Sequence, residues 1–229
     1  MRFLLALLAL AFSASTFAAP ARTLKVTETA QGGFVLGNPK ATTRLVEYMS
    51  FTCPHCAHFT TEAATPLKRD YVAKGVVAYE VRNAVRDGYD MAAALLAHCG
   101  GAPSFFGNME AIFGAQLDWM AKIETMDKTA LAGKSNPEAM ALIAQGSGLN
   151  DIMRKRGFTT KQLNLCLENK VSLKKILAMT NDAWDVRKIP GTPAFFINDK
   201  LAESTTTWEA LEPKLKLTTN PPSAKPEVK

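Results

Sequence analysis

A chain of 229 residues, 47% of them hydrophobic, is long enough for a sizeable core, in one domain carrying an insertion or in two small ones. Its formal charge of +6 comes with 27 lysines and arginines that are spread along the chain instead of clustered into an arm. That distribution is mild basicity and excludes a nucleic-acid footprint.

The N-terminus carries Arg2, an apolar run from Phe3 to Phe12 and the small-residue stretch Ser13 to Ala19. A run of about ten residues is too short to span a bilayer, which takes ~20. With small side chains at Thr16 and Ala18, residues 1–18 read as a secretory signal peptide cleaved after Ala18, or after Ala21 as second choice. Export places the four cysteines, Cys53, Cys56, Cys99 and Cys166, where disulfides form and persist. The economical pairing joins Cys53 to Cys56 and Cys99 to Cys166, one pair catalytic and the other structural; two inert buried thiols are the alternative for Cys99 and Cys166.

After a polar lead, the segment 42–51 (TTRLVEYMSF) is rich in β-branched and aromatic residues and predicts a buried strand ending at the Cys-x-x-Cys. A helix is predicted over 56–74, where Phe59, Ala63, Leu67, Tyr71 and Val72 fall at helical spacing and Gly75 follows as C-cap. A second strand over 76–85 completes a β-α-β unit, which implies parallel pairing in a covered sheet. From about 90 to 184 the pattern is helical, in segments near 90–99, 103–121, 127–132, 136–145, 149–155, 159–168 and 172–187. Gly191-Thr192-Pro193 then leads into the apolar strand Ala194 to Ile197, Asn198-Asp199 makes a turn, and a last helix covers 208–217. Residues 218–229, with three prolines and almost no apolar side chains, read as a disordered tail. The fold class is α/β: a first part over 26–88, an all-helical insertion over 89–185 and a second part over 186–217.

Disulfide exchange needs a thiolate nucleophile, a second thiol to resolve the mixed disulfide, and a field that stabilises charge on the first sulfur. A Cys-x-x-Cys at a helix start supplies all of these. The sulfur of Cys53 is expected to sit exposed at the positive end of the helix, and Cys56 one turn in and buried. His55 is placed to add a charge or a hydrogen bond to the thiolate, which would make the disulfide easier to reduce. Glu47, in an otherwise apolar strand, shares a face with Met49 and Phe51. Burial there would raise its pKa and suit it to shuttle a proton for Cys56, whereas a strand edge would turn it to solvent. Pro193 opens a strand and is a candidate for the cis form, with the Thr192 backbone free to pair with an extended substrate.

The stretch Val46-Glu47-Tyr48-Met49-Ser50-Phe51-Thr52-Cys53-Pro54-His55-Cys56, the later Gly191-Thr192-Pro193-Ala194-Phe195-Phe196-Ile197 and the helical block between them resemble the DsbA-like thiol:disulfide oxidoreductases. The resemblance covers nearly the whole chain after the signal peptide. It implies a thioredoxin fold with a large helical insertion, Cys53 as nucleophile, Cys56 as resolving thiol, His55 as thiolate stabiliser, Glu47 as buried acid, and cis-Pro193 preceded by the substrate-contacting Thr192. It further implies a periplasmic protein with no cofactor beyond the Cys53–Cys56 disulfide, reduced exported proteins as clients and a membrane partner that re-oxidises it. The Pro54-His55 dipeptide points to oxidases, while Thr before the cis-proline also appears in isomerases. Only about thirty residues lie between the cleavage site and the strand of Cys53, which leaves no room for the dimerisation domain of dimeric isomerases and favours a monomeric oxidase.

Other readings are weaker. Cys53, His55, Cys56 and His58 lie too close together to surround one tetrahedral zinc, and Ala57 stands where covalent haem attachment needs a histidine. His58 and His98 read as ordinary helix residues, and Phe105, Phe106, Phe113, Trp119 and Trp184 as core. The rival from another class is a client-holding chaperone module whose cysteines are only structural.

Overall fold

The computed structural model describes residues 24–219. The expected signal peptide and residues 220–229 of the expected tail lie outside them. Strand β3 (Thr43–Met49) is the centre of a six-stranded sheet. Its parallel neighbour is β4 (Val77–Asn83), in the register Glu47 to Val81, and its antiparallel neighbour on the other side is β5 (Ala194–Ile197). The lead before β3, read as polar, contains two short strands instead, β1 (Val26–Glu28) and β2 (Phe34–Leu36), which extend the sheet beyond β4. Phe34, Val35 and Leu36 are all buried, so three apolar residues suffice once a neighbouring strand supplies the ladder. The turn at Asn198-Asp199, with φ of 48° and 64°, returns β5 into β6 (Lys200–Leu201).

Helix α1 (Pro54–Leu67) follows β3 and starts two residues before the predicted boundary, because proline at the first helical position costs no hydrogen bond. Pro66 lies inside it, and the helix passes after Leu67 into a π turn, Lys68–Val72, before Gly75 turns the chain with φ of 73°. Phe59, Ala63 and Leu67 face the core; full burial of each large apolar side chain contributes ~1.5–3 kcal/mol.

The insertion comprises α2 (Gly88–Ala97), α3 (Ala102–Gly114), α4 (Gln116–Thr125), a 3-10 turn (Lys128–Leu131), α5 (Asn136–Gly146), α6 (Leu149–Lys155), α7 (Thr160–Leu167) and α8 (Lys170–Asn181). The segment read as one helix over 103–121 is two, broken at Ala115, and the segment 172–187 starts at Lys170 and ends in a π turn, Asp182–Val186. The last helix, α9 (Trp208–Thr219), runs two residues into the expected tail, so Thr218 and Thr219 are helical.

The two faces of the sheet differ. Leu45, Met49, Tyr79 and Phe195 join α1 and the insertion in one continuous apolar core. On the opposite face Val46, Tyr48, Ala194 and Phe196 form a smaller cluster. Beside it Glu80 accepts from Arg44 at 2.6 Å and from Arg82 at 2.6 Å, while Arg82 also reaches Asp182 at 3.2 Å. Arg187 bonds the same Asp182 and lies over the Phe196 ring, which fastens the segment leading to Thr192 onto the sheet.

Candidate active site

Cys53 is the N-cap of α1, with extended backbone (φ −92°, ψ 118°), so its side chain turns back over the unpaired N–H groups of the first helical turn. The residue is only 3% exposed, which corrects the expectation of an open sulfur. The cover is the Thr192 loop, whose carbonyl accepts from the Cys53 Sγ at 3.0 Å. Both Cys53 and Cys56 are free thiols here. The Cys53 pKa falls from 9.0 to about 5, chiefly through a hydrogen bond from the Cys56 thiol, then through the Thr192 side chain and the N–H groups of Cys56 and His55, all outweighing burial.

Cys56 lies one turn further and is fully buried. Burial, its hydrogen bond to Cys53 and the charge of Glu47 push its thiol well above the usual range. Glu47, on the central strand and 1% exposed, does not face solvent. One carboxyl oxygen accepts from the Tyr79 hydroxyl, and the other has no partner among the described residues. Burial raises its pKa from 4.5 to about 8, with the Cys53 charge adding to the rise. The two thiols and the carboxyl thus titrate in an order set by position: a helix start for one, a core for the others.

Between β3 and Cys53 the chain leaves the ladder, and groups from the insertion pair its backbone. Asp90, fully buried near the start of α2, accepts from the Ser50 hydroxyl at 2.6 Å and from the N–H groups of Phe51 at 2.8 Å and Arg86 at 3.0 Å. Burial raises its pKa to about 7 against those bonds. Arg86 closes the loop from outside by donating to the Thr52 carbonyl at 2.6 Å. Gln116, at the start of α4, donates to the carbonyls of Phe51 at 2.7 Å and Cys53 at 3.0 Å. None of these three was legible as a site residue. Asp90 resembles an ordinary acidic residue of a first helical turn, and Gln116 sits inside what reads as one continuous helix.

Pro54 is exposed at the first position of α1. The ring of His55 is exposed too and, among the described residues, makes no hydrogen bond, so what His55 gives the Cys53 sulfur here is its backbone N–H. The Thr192–Pro193 bond is cis. Cys99 and Cys166 form a disulfide with S–S 2.01 Å between the end of α2 and α7, in place of the two buried thiols held as the alternative. His58 pairs with Glu62 at 2.9 Å on α1. His98 departs from the ordinary helix residue expected: it is buried against the rings of Phe34 and Phe105, bonds Asn83 at 2.8 Å, and burial lowers its pKa to about 3. Two grooves are lined by the neighbours of Cys53. One of about 390 Å³ is lined by Pro54, Ala57, Phe113 and Leu117, and one of about 170 Å³ by Thr192, Pro193 and the segment after β6. A cavity of about 610 Å³ lies among α2, α5 and α8, away from Cys53 and Cys56, with Arg86 and Asp87 at its edge.

A free Cys-x-x-Cys at a helix start, beside a cis-proline loop on the adjacent strand of a mixed sheet, defines a thiol-redox protein of the thioredoxin class. A family model described as Thioredoxin matches residues 29–216. A protein-disulfide isomerase of Novosphingobium aromaticivorans is 34% identical with a TM-score of 0.77, over 82% of this chain and 97% of that one. A variant of Wolbachia pipientis alpha-DsbA1 is 26% identical with a TM-score of 0.54, over 73% of this chain and 74% of that one. A Rickettsia typhi protein that bears the name of a protein-disulfide oxidoreductase is 31% identical over 74% of this chain and 56% of its own length. The chain spans about half the length of the curated relatives it matches. The chain belongs to the thioredoxin family, and a DsbA protein is among the solved structures it resembles.

Proposed function

We propose that this protein is an exported thiol:disulfide oxidoreductase that oxidises cysteine-bearing client proteins through Cys53 and Cys56. The observation that carries the reading is the placement of two free thiols one helix turn apart, Cys53 at the start of α1 against the Thr192 carbonyl and Cys56 buried behind it, an arrangement that lowers the first thiol's pKa and raises the second's. A client thiolate attacks the Cys53 sulfur of the oxidised pair, forming a client–Cys53 bond and breaking the Cys53–Cys56 bond. Cys56 leaves with the electron pair and takes a proton. The client's second thiolate then attacks the client sulfur of the mixed disulfide and expels Cys53 as a thiolate, so the client loses two electrons and the Cys53–Cys56 pair gains them. A low Cys53 pKa makes it a good leaving group in that second step, which favours electron flow from client to protein.

Glu47 is the proton carrier of this reading: near neutral pH its raised pKa keeps it protonated and ready to supply Cys56. Thr192 pairs with the extended client segment, and Pro193 shapes the strand end beside it. Pro54 and His55 complete the active-site turn, and Cys99–Cys166 is structural. No cofactor beyond the cysteine pair is needed. The protein acts as a monomer in the periplasm, after removal of residues 1–18, and is re-oxidised by a membrane partner.

Isomerase activity is the second reading, favoured by Thr192 before the cis-proline and by the isomerase name of the Novosphingobium relative. The test is equilibration of the protein with a glutathione redox buffer, following Cys53–Cys56 with Cys99 and Cys166 replaced. A potential well above that of glutathione supports the oxidase, and a strongly reducing value overturns it.

A further inference from the structure

Helix α3 ends at Gly114 and α4 starts at Gln116, with Ala115 (φ −108°, ψ 13°) as the corner between them. The corner is fastened twice. The indole N–H of Trp119 donates to the Ile112 carbonyl at 3.0 Å, and Phe113 packs on Phe51 with ring centroids 4.8 Å apart. Gln116, 5% exposed, is thereby aimed at the loop before α1, and its one amide nitrogen serves two carbonyls, those of Phe51 and Cys53. The Cys53 carbonyl is also the acceptor of the first turn of α1, from the N–H groups of Cys56 at 3.2 Å and Ala57 at 3.3 Å. A side chain from the insertion therefore grips the same carbonyl that sets the direction of the turn facing the Cys53 sulfur.

We infer that Gln116 is a positioning residue of the redox site, holding the Cys53 sulfur within reach of the N–H groups of His55 and Cys56 so that its thiolate form persists. It touches no reacting atom. The inference rests on the reading of Cys53 as the attacking thiol. A merely structural Gln116, satisfying two buried carbonyls, would affect stability and leave the thiolate alone.

The test uses the reduced full chain and reads the Cys53 pKa from thiolate absorbance and from the pH dependence of its alkylation. Gln116→Met keeps length and removes the donor. It is expected to raise the Cys53 pKa by about one unit, the equivalent of one hydrogen bond, and to slow alkylation several-fold near pH 5. Ile123→Ala, buried on the same helix, controls for a loosened α4: it lowers the melting temperature and leaves the Cys53 pKa in place. Should Gln116→Met not fold, Gln116→Asn keeps a neutral amide, withdraws its donor by one methylene from the Phe51 and Cys53 carbonyls, and must raise the pKa as well. An unchanged Cys53 pKa in the folded variant overturns the inference. A wild-type Cys53 that titrates in the ordinary thiol range sinks the proposed function instead, before any variant is compared.

Discussion

Replacing Glu47 by glutamine should make the reduced protein more stable at neutral pH and slower in disulfide exchange. The carboxyl is 1% exposed, with one oxygen on Tyr79 and the other without a partner among the described residues. Its pKa is raised from 4.5 to about 8, so the folded state holds the proton more tightly than the unfolded chain. Its contribution to stability is therefore fully present below 4.5 and is lost as the pH rises through about 8. At pH 7 the unfolded side chain has ionised and the folded one has not, a disparity that costs folding about 3 kcal/mol. Glutamine keeps the acceptor for Tyr79 and never ionises, but it leaves buried N–H donors unpaired at ~1 kcal/mol. The net expectation for Glu47→Gln is a gain of about 2 kcal/mol at pH 7 that disappears by pH 4 and turns into a slight loss. Denaturant unfolding of reduced wild type and variant at both pH values measures it. Equal differences at pH 4 and pH 7 would mean that Glu47 is ionised in the fold, which would also remove the basis for its part in proton transfer.

The Cys53 thiolate has the opposite sign. Its depressed pKa gives the reduced fold stability that is complete above the ordinary thiol value of 9.0 and is lost as the pH falls through about 5. The stability difference between reduced wild type and Cys53→Ser should shrink from pH 9 to pH 4; a constant difference would contradict the low pKa. Asp90→Ala leaves the Ser50 hydroxyl and the Phe51 and Arg86 N–H groups without their acceptor, at ~3 kcal/mol in denaturant melts. Asp90 itself favours the fold below its ordinary 3.8 and loses that contribution as the pH rises through about 7, so the penalty should be larger in acid. Replacing both Cys99 and Cys166 by alanine opens a loop of 67 residues, which the chain-entropy model sets at ~4 kcal/mol. A loss confined to stability, with unchanged exchange by Cys53, is the outcome expected of a structural disulfide.

The sequence patterns that were strong were those of the buried elements. The run Leu45 to Met49, interrupted only by Glu47, and the run Ala194 to Ile197 are apolar because both strands are covered on two faces, and the helical spacing of Phe59, Ala63 and Leu67 reflects one buried stripe. Strands β1 and β2 were not legible, since three residues carry no usable alternation and their stability is borrowed from β4. The division of 103–121 into α3 and α4 was hidden for a related reason. The sequence from Gly114 to Gln116 carries no proline, and the break is held by tertiary bonds from Trp119 and Phe113 that no local pattern announces.

The site divides along the same line. Cys53 and Cys56 could be read directly because their chemistry depends on spacing along one helix turn, and Glu47 because a carboxyl in an apolar strand is conspicuous. The groups that hold the Cys53 loop act from far along the chain: Asp90 reaches Phe51 across 39 residues, and Gln116 reaches Phe51 across 65. Each is a polar residue at a helix start, where capping explains a polar side chain without any further role. What separates them from surface caps is burial among backbone groups that have left the β3 ladder. Those groups need partners because the loop must end its pairing at Met49 to place Cys53 at the start of α1. The helical insertion supplies them, so the part of the chain that carries neither Cys53 nor Cys56 holds the loop from which Cys53 projects.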